Sequence, residues 1–186
     1  MNDQSFSLQP FFTPKLKQAT ARSVADLKIT GTIARHSNTL AIRYQLLGPL
    51  EEVVIPRLSD KPVRKHELWE ETCFEFFLGV RNAGRYWEFN LSPAGHWNIY
   101  RFDAYRQGMQ EEMAFTSLPL QIQNQLNFLS LTLELNLDKI LQADQVLQVG
   151  ISTVLKHRND NVTYWALTHD APQADFHQRG SFIIEF

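Results

Sequence analysis

The sequence holds one cysteine, Cys73, among 186 residues. That excludes an intramolecular disulfide framework and any zinc site built on several cysteines. Excess basic charge is missing too. The formal net charge is −2 and the pI is about 6.3, whereas nucleic-acid-binding domains usually exceed a pI of about 9 with clustered Lys and Arg. The densest basic stretch, Arg57 to Lys65, runs straight into Glu67, Glu70 and Glu71 and reads as a solvated loop. No apolar run reaches the roughly 18 residues that a membrane-spanning helix needs. The first ten residues lack the basic start and apolar stretch of a signal peptide. A cytoplasmic protein with no nucleic-acid or membrane partner is therefore expected. P-loop, dinucleotide-binding and nucleophile-elbow motifs are also missing.

The composition is that of a globular chain, with 44% apolar and 20% charged residues. It lacks internal repeats and linkers, so one domain over 1–186 is expected, with about the first ten residues loose. The dominant pattern has period two. Leu40, Ile42, Tyr44 and Leu46 alternate with Ala41, Arg43 and Gln45; Phe74, Phe76 and Leu78 alternate with Cys73, Glu75 and Phe77; Trp87, Phe89 and Leu91 alternate with Tyr86, Glu88 and Asn90; and Leu129 through Leu137 alternate with Ser130, Thr132, Glu134 and Asn136. Alternation of this kind puts one set of side chains on each face of a strand. Phe182, Ile184 and Phe186 end the chain in the same pattern. Further strands are expected over 26–34, 97–103, 146–155 and 163–167. Gly-, Pro- and Asn-containing turns separate them, and Ser92 to Gly95 reads as a hairpin loop. Helix is scarce: single turns are expected over 137–141 and 107–113. The pattern predicts an all-β fold, a two-sheet antiparallel β-sandwich. Phe74, Phe76, Leu78, Trp87, Phe89, Leu131, Leu133, Leu135, Ile151 and Ile184 are expected to point inward.

The same parity singles out a set of polar residues. Glu75 falls on the face opposite Phe74 and Phe76, and Glu88 and Asn90 fall opposite Trp87 and Phe89; Trp69 shares the parity of Glu75. Carboxylates and an amide beside an indole suit a sugar, whose hydroxyls need oriented partners and whose C–H faces stack on aromatic rings. A plain polar outer face of an antiparallel sheet would read identically. Trp97 follows the hairpin loop and could line a rim; Trp165 could face either way. His169, Asp170, Asp175 and His177 could supply metal ligands or simply form a connecting loop. His36 and His157 read as exposed. Met109 and Met113 could serve a haem, although the pattern places no histidine opposite them. A catalytic carboxylate pair needs an acid with a raised pKa, and a flat sheet face offers no obvious one. Cys73 shares the parity of Glu75, which should raise its thiol pKa and keep it unreactive.

The run Leu68-Trp69-Glu70-x-Thr72-Cys73-Phe74-Glu75-x-Phe77, followed by Tyr86-Trp87-Glu88-Phe89-Asn90-Leu91-Ser92-Pro93-x-Gly95-x-Trp97-Asn98, resembles the DOMON-like group, which is similar to the type 9 carbohydrate-binding modules. Tyr105 to Met109, Trp165 to His169 and Asp175-Phe176-His177 extend the resemblance. It implies a jelly-roll type of sandwich with a ligand site on one sheet, and non-catalytic binding of a small polar ligand, a carbohydrate above all. The matching positions are Trp69, Glu75, Glu88 and Asn90, with Trp165 as a second aromatic wall. No cofactor is required, although other relatives bind haem. The alternatives are a haem-binding redox module and a glycan-processing enzyme.

Overall fold

The computed structural model describes residues 3–11 and 24–186. Two antiparallel sheets face each other. One runs in the order β1 (Gln4–Ser7), β3 (Lys28–His36), β4 (Thr39–Leu47), β10 (Phe128–Asn136), β9 (Gln121–Gln125). The other runs β2 (Gln9–Pro10), β12 (Val162–Ala166), β11 (Leu147–Lys156), β5 (Cys73–Val80), β6 (Tyr86–Leu91), β7 (Trp97–Phe102), β8 (Gln110–Glu111), with β13 (Ile184–Glu185) also paired to β11. After β3 the chain crosses from the first sheet to the second between β4 and β5, returns between β8 and β9, and crosses again between β10 and β11. These crossings make β4 the neighbour of β10 in one layer and β5 the neighbour of β11 in the other. The expected two-sheet antiparallel sandwich is the observed architecture.

The core lies between the sheets, where the alternation placed it. All ten residues expected inward belong to one buried apolar cluster. Tyr44 crosses the core and donates from its hydroxyl to the main-chain carbonyl of Glu75 at 2.7 Å. A buried hydroxyl needs a partner, and this one pins the first sheet to the strand that carries Glu75.

Several expectations give way. The start of the chain is tied down where it is described: β1 pairs with β3, β2 with β12, and Phe6 is buried. Residues 1 and 2 lie outside the described residues. The turn over 137–141 is present, closed by Leu141 N–H to the Leu137 carbonyl at 2.9 Å. Over 107–113 the chain instead forms β8 along the edge of β7, because edge hydrogen bonds outweigh a weak local helical preference. Phe182 and Ile184 do not share a face. The short helical turn over Arg179–Ser181 swings Phe182 to the outside of the second sheet, and Ile184 enters the core. His157 is buried, with Nε2 2.9 Å from the Thr163 hydroxyl. Trp97 is buried under the Arg64 guanidinium, 4.4 Å from the ring centroid. Arg64 is no solvated charge: it donates to the Asn98 side chain at 2.7 Å and to the carbonyls of Glu112 and Phe115 at 3.0 and 2.7 Å.

Residues 167–183 form a strap across the outer face of the second sheet, and two glycines make room for it. A Cβ on Gly79 would lie 1.2 Å from an Arg179 guanidinium nitrogen, and one on Gly150 would lie 2.7 Å from the Phe182 ring. Arg179 crosses Gly79 to donate to the Val80 carbonyl and to the Gln148 side chain, each at 3.0 Å. Gly79→Ala should therefore displace Arg179 and loosen the strap at a cost of about 1–3 kcal/mol, typical of overpacking. Limited proteolysis should show new cleavage within 167–183 while the sandwich stays folded. An unchanged cleavage pattern would mean that Arg179 does not hold the strap.

Candidate functional site

The outer face of the second sheet carries an aromatic layer of its own. Phe77, Tyr86, Tyr100, Phe102 and Phe182 form a buried cluster, with Trp69 and Phe176 packed against it. Tyr86 and Phe102 stack with centroids 4.8 Å apart and planes 2° from parallel. A bare sheet would leave these rings wet. The strap lays Phe176, His177 and Phe182 over them, and between strap and sheet remains a cavity of about 400 Å³.

Three of the five expected site residues line that cavity: Trp69, Glu75 and Glu88. Trp69 sits on a short helical turn, Leu68–Glu70, and meets Tyr100 edge-on with centroids 5.7 Å apart. The chain after it is fixed where Thr72 donates from its hydroxyl to the Val54 carbonyl at 2.7 Å. Glu75 and Glu88 are diagonal neighbours: Glu75 pairs with Asn90, and Phe77 pairs with Glu88. Such diagonals keep Cβ atoms roughly 7–8 Å apart or somewhat less. Both side chains are almost wholly buried, at 2% and 5% exposure.

Asn90 is not a wall of the cavity. It lies fully buried between the two glutamates and donates to Glu88 Oε1 at 2.9 Å, while its own oxygen accepts from the Cys73 thiol at 3.6 Å. It orients Glu88. Trp165 is the correction. Its parity matches Thr153, so the ring turns into the interlayer core, where Nε1 donates to the Thr163 hydroxyl at 3.0 Å. The adjacent Tyr164 supplies the aromatic wall instead, edge-on to Phe176 at 6.1 Å. In Thr163-Tyr164-Trp165 either ring suits the core, and the register with Thr153 and the partner of the indole N–H decide between them.

The strap brings in His177, which sequence parity did not place. The Tyr86 hydroxyl accepts from the Arg106 main-chain N–H at 3.2 Å and is hydrogen-bonded to His177 Nδ1, 2.7 Å away. The other ring nitrogen, Nε2, lies 3.7 Å from Glu88 Oε2. Burial, with the Arg106 charge adding to it, pushes the His177 pKa down to about 4, so the ring is neutral at physiological pH. Arg106 also lines the cavity, but its guanidinium is held by Asp175 at 2.8 Å. Burial alone would raise Asp175; hydrogen bonds from Tyr105, Arg106 and Gln178 hold it down at about 2. The signal for this half of the site lay in the stretches Tyr105 to Met109 and Asp175-Phe176-His177. Their residues meet only through the strap.

Burial raises the pKa of both glutamates. For Glu75 the charge of Glu88 adds to the effect, against the Ser152 hydroxyl, which donates to Glu75 Oε2 at 3.0 Å. For Glu88 the Asn90 bond opposes burial without cancelling it. The expectation that this face offers no raised acid is overturned, because the strap and aromatic layer have removed the water. Cys73 behaves as parity suggested: burial first, then Glu75, pushes its thiol well up.

Of the residue types that commonly ligate a haem iron, Met109 and His177 line the cavity. Tyr86 already bonds His177 Nδ1, and Glu88 stands 3.7 Å from Nε2, so an iron on that nitrogen would have to move Glu88 or take it as a ligand. Among the described residues, no group of three or more His, Cys, Asp and Glu side chains is placed to hold a metal ion.

The fold has counterparts among solved structures. A candidate carbohydrate-binding protein from Bacteroides uniformis superposes with a TM-score of 0.66 at 12% identity, over 96% of this chain and 83% of that one. A family 9 carbohydrate-binding module from Caldicellulosiruptor kristjanssonii, in complex with cellotriose, gives 0.51 at 9% identity, over 92% and 75%. At such identities the likeness is one of fold, and it agrees with the resemblance to the type 9 modules. No family model and no curated protein matches the chain.

Proposed function

We propose that the protein is a non-catalytic binding module that holds a small carbohydrate in the cavity beneath the strap. One observation carries this reading: two buried carboxyl groups, fixed by Asn90 and Ser152, face a cavity walled by Trp69, Tyr164 and Phe176. Aromatic walls suit the C–H faces of a pyranose, and oriented carboxyl oxygens suit its hydroxyls. A cavity of about 400 Å³ suits one or two sugar rings rather than a polysaccharide chain. The fold likeness to a cellotriose-bound module supports the same class of ligand.

Calorimetric titration with a panel of mono- and disaccharides is the test. At least one should bind below millimolar concentration, and Trp69→Ala should weaken it by about tenfold or more, the effect of losing one stacking ring at about 1–2 kcal/mol. If nothing binds at millimolar concentration, the carbohydrate assignment fails.

The raised carboxyl pair favours a second reading, a glycan-processing enzyme with the protonated glutamate as acid and the other as nucleophile or base. Release of reducing ends from a bound oligosaccharide, lost in Glu75→Gln or Glu88→Gln, would establish it. Binding without turnover would exclude it.

A further inference from the structure

Among the described residues, Glu75 and Glu88 have no lysine or arginine within ion-pair distance; His177 stands 3.7 Å from Glu88, and the Arg106 charge acts on Glu88 from farther off. The groups around them are the Cys73 thiol and the Tyr44 ring under β5, the Tyr86 and Tyr100 hydroxyls beside β6, neutral His177 on the strap, and Arg106. Arg106 is taken by Asp175. Among the described residues, Arg106 offsets part of the Glu88 charge and no cation pairs with Glu75. A site meant only for hydroxyls needs acceptors, and one carboxylate, an amide or a serine would provide them at lower cost, because an unpaired buried charge is expensive. The cavity instead holds two carboxyls and surrounds them with the rings of Trp69, Phe77, Phe102, Tyr164 and Phe176. Ring faces are electronegative and attract cations. Carboxylates and aromatic faces together describe a receptor for an ammonium group, whose three N–H donors match carboxylate oxygens and whose charge offsets their burial.

We propose that the ligand is an amino sugar, its protonated amine seated between Glu75 and Glu88 against the aromatic walls. This rests on the carbohydrate reading above and narrows it. Burial by itself favours a proton on the pair. The arriving ammonium favours both carboxylates, so binding releases a proton to solvent.

The test is calorimetry of the full chain with glucosamine, glucose, N-acetylglucosamine and ethanolamine, each in two buffers of different ionisation enthalpy at neutral pH. Glucosamine should bind at least about tenfold tighter than glucose or N-acetylglucosamine, the scale expected for a desolvated cation between a carboxylate and a ring. Its binding heat should change with buffer, reporting the released proton. Glu75→Gln and Glu88→Gln should each remove the preference without lowering the melting temperature. Equal affinity for glucose and glucosamine overturns the amine inference and leaves the carbohydrate reading standing. A glucosamine preference that survives both glutamine variants also overturns it, since the amine then binds elsewhere. Ethanolamine binding with no sugar binding overturns the carbohydrate reading and leaves the cation site. No binding by any of the four compounds overturns both.

Discussion

Phe76→Ala and Phe89→Ala should each destabilise the protein by about 3–5 kcal/mol, the usual cost of removing a buried phenylalanine from a packed core. Both rings are fully buried, paired across β5 and β6, and stacked with centroids 4.3 Å apart and planes 12° from parallel. Neither has a route to collapse. Phe76 is registered against Ile151 on its other side, and Phe89 meets Ile99 across the sheet and Phe115 edge-on at 6.4 Å. The double variant should cost less than the two single costs together, because the stacking term of about 0.5–1.5 kcal/mol is lost once and counted twice. Urea denaturation checks this through the midpoint and slope. A cost within about 0.5 kcal/mol for either ring would place it at the surface and invert the assignment of faces.

That assignment was legible in the sequence because strand parity is local. Residues i and i+2 share a face whatever the partner strands do. Trp69, Glu75, Glu88 and Asn90 could thus be put on the face away from Phe74, Phe76, Trp87 and Phe89 without knowing the topology. Parity could not tell which outward residues meet a ligand and which are sealed beneath it. Asn90 and Glu88 have the same parity, yet one is an internal brace and the other a wall. Nor could parity foresee that the outer face is covered. That follows from Gly79, Gly150, Arg179 and Phe182, residues far apart in the chain whose complementarity appears only when β11 lies beside β5. Trp165 failed for a related reason. Two adjacent aromatic residues compete for one inward position, and the winner is set by a hydroxyl two residues away and by the register with Thr153.

The covered face has a consequence for stability against pH, which should fall between about pH 6.5 and 8. In the unfolded chain a glutamate loses its proton near pH 4.3 and a histidine near 6.5. In the folded chain burial, and then the charge of Glu88, pushes Glu75 up to about 8, and burial raises Glu88 as well. Between the unfolded and folded values the native state holds a proton that the unfolded state has released, so stability declines as pH rises through that interval. His177 acts in the opposite sense. It stays neutral in the folded state down to about pH 4, so the unfolded state binds the extra proton between about pH 4 and 6.5, and stability rises with pH there. Buried His157, whose pKa is also lowered by burial, adds to that rise. Below pH 6.5 the two slopes oppose each other; above it the glutamates act with no histidine counterpart. The decline from pH 6.5 to 8 should be on the order of 1–2 kcal/mol, since one proton of difference is worth about 1.4 kcal/mol per pH unit. Glu75→Gln should flatten the slope and leave the variant more stable than the parent at pH 8, because it removes a buried like charge and keeps an acceptor for Ser152. Denaturant titrations at half-unit steps across this range decide the matter. A parent profile that is flat from pH 6.5 to 8, or one that declines equally in Glu75→Gln and Glu88→Gln, would mean that water reaches the two carboxyls and that the strap does not seal the cavity.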